Sequence, residues 1–370
     1  MSPERFGIRP TPPEVLFIVA DAFLGRLGLM IRHLAVGMID LAVRVSVACS
    51  AERVSDDFFG PVRLIRYSFR PRLPGMDGLA RLLREVEKQP PDVCFVFGDE
   101  RRAAREVARE FDCPAVFVAG STKELRRALA AGCGSRSPLV VLSTPLLEQA
   151  MQVAGVEPHS VYLIRPGLHI PERMTRQAVE DVEESAAAPP DTTAILVETP
   201  LTHDCGVASV LEAVRRLGVA HGAILLFVVG AGPAEARLRK QCERLGLVQR
   251  VTFAGELAAH RIELTGFDVF VQPRVVEDLS LEVLQAMGAG VAVVAAGPGN
   301  HDCLIPEETA LFYDPASSSS LAGQIERLIT DRQFARSLAE AGRQHVRQHH
   351  QVSGMTAAYH ELQTTLLARC

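Results

Sequence analysis

The sequence predicts an α/β protein built from two doubly wound parallel-sheet domains facing a central cleft. Three observations predict it. Short, near-continuous runs of Val, Ile, Leu and Phe alternate with longer amphipathic stretches, as buried parallel strands and their crossover helices require. The alternation stops at residues 171–193 and then restarts. A length of 370 residues also exceeds what one hydrophobic core ordinarily supports.

In the first half the strand-like runs are 15–20, 44–49, 62–67, 93–98, 115–120, 139–144 and 161–165. Amphipathic stretches separate most of them, among them 75–88, 101–111 and 145–154. Segment 171–193 is acidic and Ala-rich and carries the pair Pro189-Pro190, which is linker composition. The strand pattern resumes at 194–198, 224–230, 250–255, 269–273, 291–297 and 310–314. The tail, 318–370, reads as helical throughout with one break near 351–354. The expected organisation is a first domain over 1–171, a linker over 172–193, a second domain over 194–350 and a terminal helix over 351–370.

Composition bounds the function. The net charge is −5, which argues against a nucleic-acid binder. The eight cysteines, at 49, 94, 113, 133, 205, 242, 303 and 370, form no CxxC pair and sit in or beside apolar strands, where Cys acts as a small hydrophobe. A reducing, cytoplasmic location is the expectation. The polar, Pro-rich start shows no signal-peptide run, and no stretch of roughly 20 uninterrupted apolar residues suggests a membrane span.

The most informative segment is 267–290, FDVFVQPRVVEDLSLEVLQAMGAG. A strand ends near Pro273, a short loop holds Glu277, and Ser280 is a good N-cap for a helix beginning at Leu281. Such a helix start presents unpaired backbone N–H groups and the positive end of a dipole, a ready place for a phosphate. This segment resembles the Glu-x7-Glu element of retaining GT-B glycosyltransferases of the GT4 kind (glycosyl transferases group 1). Segment 225–247, LLFVVGAGPAEARLRKQCERLGL, is similar to that family's second strand, glycine turn and following helix. RVTFAGE at 250–256 resembles its next strand, 139–168 the last unit of its acceptor domain, and 353–367 the helix that returns to that domain.

The resemblance implies two Rossmann-like domains and a nucleotide-diphosphate sugar as donor, with no cofactor and no metal. It implies a glycan, lipid or small-molecule acceptor, attacked through a hydroxyl with retention. Glu277 would orient the sugar, and Gln285, where the family has a carboxylate, would meet the ribose. Gly230, Gly232, Asp278, Leu279, Ser280 and Leu281 would line the sugar and phosphates, with Glu256 beside the base and His203 near the phosphates. Several positions depart from the family's pattern. Loop 198–206 reads ETPLTHDCG where an Arg and a Lys are usual; Gly120-Ser121 stands where an acceptor-side His is usual; the N-terminal Gly-rich loop survives only as Gly25-Arg26-Leu27-Gly28. Arg26, Arg165 and Arg274 are candidate replacement cations. A second reading, motivated by those departures, is a catalytically inactive GT-B protein that binds or regulates a partner. An epimerase or phosphorylase on the same fold is a third; a phosphorylase would need a pyridoxal lysine, and none of the three lysines has that setting.

Other patterns carry blander alternatives. Gly230-Ala231-Gly232 lacks the third glycine of a dinucleotide fingerprint, since position 235 is Glu235. His345, His349 and His350 have a spacing a metal could use, or form an ordinary polar helix end. Arg63, Arg66, Arg70 and Arg72, interleaved with Tyr67 and Phe69, are either a solvated strand and loop or a contact for anionic lipid.

Overall fold

The computed structural model describes residues 12–49, 58–67, 78–170, 192–221, 223–255, 264–275, 280–297 and 302–368. The chain divides into two compact units, Met1–Leu168 with His350–Cys370, and His169–His349.

The first unit holds β1 (Glu14–Val19), β2 (Arg44–Cys49), β3 (Arg63–Arg66), β4 (Val93–Phe97), β5 (Ala115–Ala119), β6 (Leu139–Val141) and β7 (Val161–Leu163) in the order β3-β2-β1-β4-β5-β6-β7. Every pairing is parallel. Its helices are α1 (Asp21–Asp40), α2 (Gly78–Glu87), α3 (Arg101–Phe111), α4 (Thr122–Ala130) and α5 (Thr144–Met151). The central strands are apolar on both faces because both are covered: Val15 to Val19 of β1 are at most 1% exposed. The strands β6 and β7 end two or three residues before the apolar runs that predicted them.

Helix α1 is the element the sequence pattern conceals. It is apolar nearly all round, with Phe23, Leu24, Leu27, Met30, Ile31, Leu34, Ala35 and Met38 buried, because the sheet lies on one side and a terminal helix on another. By length and composition α1 could cross a membrane, with a mean hydropathy of 1.4, yet half of that window is buried in the unit. The stretch Gly25-Arg26-Leu27-Gly28 is therefore a correction: it forms no loop but a kink inside α1, where Leu27 leaves helical geometry at φ −125°, ψ 20°.

The second unit holds β8 (Thr193–Glu198), β9 (Ile224–Val229), β10 (Val251–Gly255), β11 (Val269–Gln272), β12 (Ala292–Ala296) and β13 (Leu311–Tyr313) in the order β10-β9-β8-β11-β12-β13, again all parallel. Helices α6 (Val207–Ala220), α7 (Glu235–Arg244), α8 (Leu281–Gly288), α9 (Ser318–Thr330) and α10 (Arg332–His349) cover it. The tail is three helices rather than two. Asp331 stops α9 and caps α10, its carboxylate accepting from the Phe334 amide at 2.9 Å. Gln351 (φ −80°, ψ 140°) then ends the run before α11 (Val352–Leu367).

Helix α11 packs on α1 and β4 within the first unit. Tyr359 is fully buried there, edge-on to the ring of Phe95 at 5.2 Å. The helices approach so closely at Gly37 that a Cβ there would stand 2.5 Å from Thr356 Oγ1.

Candidate functional site

In each sheet the strand order reverses once, and the crevice beyond the carboxyl ends of the strands at that point is where such folds bind ligands. In the second unit the reversal falls between β8 and β11. The residues there come from the β8–α6 loop, the β9–α7 turn, the end of β11 and the start of α8.

Backbone packing builds this region. Gly230 (φ +133°) closes β9, and a Cβ on it would lie 2.0 Å from the carbonyl oxygen of Thr199. A Cβ on Gly232 would stand 2.4 Å from that of Leu201. The two segments are tied by the Leu201 amide on Ala231 O at 3.0 Å and the Ala234 amide on Leu201 O at 2.9 Å. Both glycines thus let one loop rest on another's backbone. Across the reversal, Gly206 (φ +77°) starts α6 with a Cβ position 2.1 Å from Pro273 O, so only glycine fits. The buried Tyr313 hydroxyl donates to that same carbonyl at 3.1 Å and fixes the end of β11.

Helix α8 starts where the sequence places it. Ser280 is extended (φ −107°, ψ 121°), and its Oγ accepts from the Val283 amide at 3.3 Å. That Oγ also donates to Glu282 Oε2 at 2.6 Å. Leu281, Val283, Leu284, Ala286, Met287 and Gly288 are buried. Glu282 and Gln285, three apart, are the helix's only partly exposed positions and share a face. Glu198 lies within electrostatic reach of Glu282. Burial above all, and then the Glu282 charge, push the Glu198 carboxyl from an ordinary 4.5 to about 8. At neutral pH Glu198 is therefore mostly a neutral acid with a proton to donate.

The predicted residues are distributed as follows. Gly230, Gly232, Ser280, Leu281, Gln285, His203 and Arg274 belong to the second unit, at or beside the β8–β11 reversal. Arg274 follows β11 and, with His203, helps hold the Asp204 carboxyl below its usual range, after the Thr202 hydroxyl bond and a backbone bond. His203 is exposed, and its carbonyl accepts from Arg237 at 2.8 Å. Arg26 and Arg165 belong to the first unit and are engaged there. Arg26 donates to Gly120 O at 2.7 Å and to Glu124 at 3.0 Å, and Arg165 to Thr144 Oγ1 at 2.8 Å. Glu256, Glu277, Asp278 and Leu279 lie outside the described residues.

Sequence reasoning missed Glu282 as a partner of Glu198. No local signal marks it, because only the fold brings the two carboxyls within electrostatic reach. Among the described residues no group of His, Cys, Asp or Glu is arranged to hold a metal; the rings of His345 and His349 lie 4.8 Å apart on α10, tilted by 56°. Of the basic run, Arg63 donates to Gln89 Oε1 at 3.0 Å and to the Glu85 carbonyl, while Phe69, Arg70 and Arg72 lie outside the described residues.

Residues 179–345 match the family model described as Glycosyl transferases group 1. The chain is 29% identical in 167 residues to the 2-deoxystreptamine glucosyltransferase of Streptomyces kanamyceticus, spanning 44% of this chain and 43% of that protein. It is 33% identical in 153 residues to the GDP-mannose-dependent alpha-(1-6)-phosphatidylinositol monomannoside mannosyltransferase of Mycobacterium tuberculosis, 38% of each. The chain thus spans less than half the length of these relatives. The fold is similar over nearly its whole length to the Anabaena Alr3699/HepE structure with UDP and glucose (TM-score 0.74, 18% identity, 95% of this chain and 100% of that one). It is likewise similar to the sucrose-phosphate synthase of Thermosynechococcus elongatus (TM-score 0.77, 17% identity, 97% and 100%). The two parallel sheets and this likeness to solved structures give the GT-B fold.

Proposed function

We propose that the chain is a glycosyltransferase that moves a sugar from a nucleotide-diphosphate sugar to an acceptor hydroxyl with retention. The observation that carries this reading is the capped start of α8 beside the β8–β11 reversal, within the residues that match glycosyl transferases group 1. In the proposed reaction the bond between the sugar's anomeric carbon and the diphosphate oxygen breaks. The acceptor oxygen bonds to that carbon on the same face, and its proton passes to the departing diphosphate.

The leaving group gains charge in the transition state, so donors and cations aimed at it dominate the rate. The α8 amide groups of Leu281 and Glu282 supply donors, and Arg274 supplies the cation next to the β8–α6 loop. Glu198, neutral at pH 7, answers the loss of the usual Arg and Lys differently: it donates a hydrogen bond to phosphate where a carboxylate would repel. Gln285, one turn along the exposed side of α8, meets the ribose through its amide, with weaker bonds than a carboxylate would make. Glu277 orients the sugar, with Asp278 and Leu279 beside it and Glu256 near the base. Relatives named for glucosyl and mannosyl transfer support a hexose as cargo.

The test is turnover of UDP-, GDP- and ADP-sugars by the full chain, read as hydrolysis or transfer. One active donor, with activity reduced on the order of a hundredfold or more in Glu277→Ala, supports the reading. Binding of a nucleotide sugar with no turnover would leave a regulatory partner in its place.

A further inference from the structure

Helix α8 leaves few polar groups for a ligand. Leu281, Val283, Leu284, Ala286, Met287 and Gly288 are buried, so only Glu282 and Gln285 reach its partly exposed side. Glu282 is engaged: its Oε2 accepts from the Ser280 hydroxyl at 2.6 Å, and its charge acts on Glu198. Ser280 is engaged twice, since the same Oγ accepts from the Val283 amide at 3.3 Å. The Gln285 backbone carbonyl accepts from the Ala289 amide at 2.9 Å, but among the described residues nothing bonds to its side-chain amide. That amide is the one uncommitted polar side chain on α8. It lies about 4.5 Å further along the helix axis than Glu282. A nucleotide bound with its diphosphate at the capped start would place its sugar ring in the same order.

The chemistry of an amide bears on which sugar ring it can hold. Ribose offers neighbouring 2′- and 3′-hydroxyls, whereas 2′-deoxyribose keeps only the second. A carboxylate has two charged acceptor oxygens, takes both hydroxyl protons, and makes bonds about twice as strong as neutral ones. Removing the 2′-hydroxyl then leaves a charged oxygen without its donor, and such a site favours ribose. An amide has one acceptor oxygen and one NH2 donor. Its Oε1 takes the 3′-hydroxyl proton, and its Nε2 gives a bond either to a 2′-oxygen or to water. Strong discrimination arises when a missing partner strands a polar group away from solvent. Gln285 is neutral and partly exposed, so its Nε2 turns to water and nothing is stranded.

We propose that this site takes 2′-deoxynucleoside-diphosphate sugars as readily as ribonucleoside ones, with Gln285 as the residue that sets this tolerance. The inference rests on the reading of Gln285 as the contact for the nucleotide's sugar ring. It adds a donor class to that reading, because a carboxylate at position 285 would narrow the choice to ribose. Neither neighbour on the helix restores the selection: Ser280 and Glu282 are spent on each other and on the first turn.

The experiment is calorimetric titration of three matched pairs into the full chain at pH 7: UDP with dUDP, GDP with dGDP, and ADP with dADP. Members of a pair differ by one oxygen, so the base and the phosphates cancel in their ratio. For whichever base binds, the two affinities should agree within about threefold. Gln285→Glu should open a gap of about tenfold or more in favour of the ribonucleotide. Gln285→Ala should weaken both members alike and keep their ratio near one. A tenfold gap in either direction in the unaltered chain overturns the proposal, and so does an unchanged ratio in folded Gln285→Glu. Should that variant fail to fold, the ratio in the unaltered chain decides alone. Absence of binding by all six nucleotides overturns the nucleotide reading itself, and this inference with it. Binding with a clear ribose preference overturns the inference and leaves that reading standing.

Discussion

Glu198 shows how burial changes what a residue type means. On the page of the sequence it is a carboxylate in a place where a phosphate is expected, and it reads as repulsion. In the fold its carboxyl titrates near 8, and below that pH it is a donor. Nucleotide-diphosphate affinity should hold steady up to about pH 7 and fall as pH rises through about 8, while Glu198→Gln, which keeps the donor, should abolish that fall; calorimetry across pH 6–9.5 reads both. Stability should move with it. The folded value lies above the ordinary 4.5, so the folded state favours the proton and stability declines between about pH 4.5 and 8, then levels. Glu198→Gln should therefore remove most of that decline, so that its stability relative to wild type is higher at pH 9 than at pH 5 in thermal melts. Gly230 is the other decisive single residue. With φ at +133° and a Cβ position 2.0 Å from Thr199 O, Gly230→Ala should cost about 3 kcal/mol or more, and a melting temperature within a degree of wild type would contradict the backbone approach described.

At the scale of elements, α8 was legible because its signals are local. Ser280 as cap, the inward Leu281, Leu284 and Met287, and the closing glycines are all written within a dozen residues. Ser280→Ala should cost about 1 kcal/mol through loss of the Val283 bond. It should also weaken nucleotide binding, because the first turn frays where phosphate would sit. Helix α1 was not legible, and the reason is tertiary. A helix covered on two sides has no polar stripe to announce its period, and Gly25 and Gly28 look like a loop. The break at Asp331 escaped for the opposite cause: a single capping aspartate separates two helices with hardly any connecting loop. The glycine pair at 230 and 232 was visible, but whether it faced a phosphate or another loop was not, since that depends on where Thr199 and Leu201 come to lie. The Glu198–Glu282 pairing lay beyond local reading altogether, because the two residues are joined only by the sheet order.

For the molecule as a whole, chain order and structural membership differ. Helix α11 is last in sequence, yet it completes the first unit against α1 and β4, with Tyr359 buried beside Phe95. Tyr359→Ala should destabilise that unit by about 3–5 kcal/mol. Calorimetric melts should show the loss in one transition and not the other, which a single shifted transition would contradict. The central claim remains that the β8–β11 reversal of the second unit holds a nucleotide diphosphate. Its most direct measurement is calorimetric titration of UDP, GDP and ADP into the full chain and into Arg274→Ala at pH 7. The account predicts micromolar binding of at least one nucleotide and a loss of about tenfold or more in the variant; no binding of any of the three, or equal binding by the variant, would contradict it.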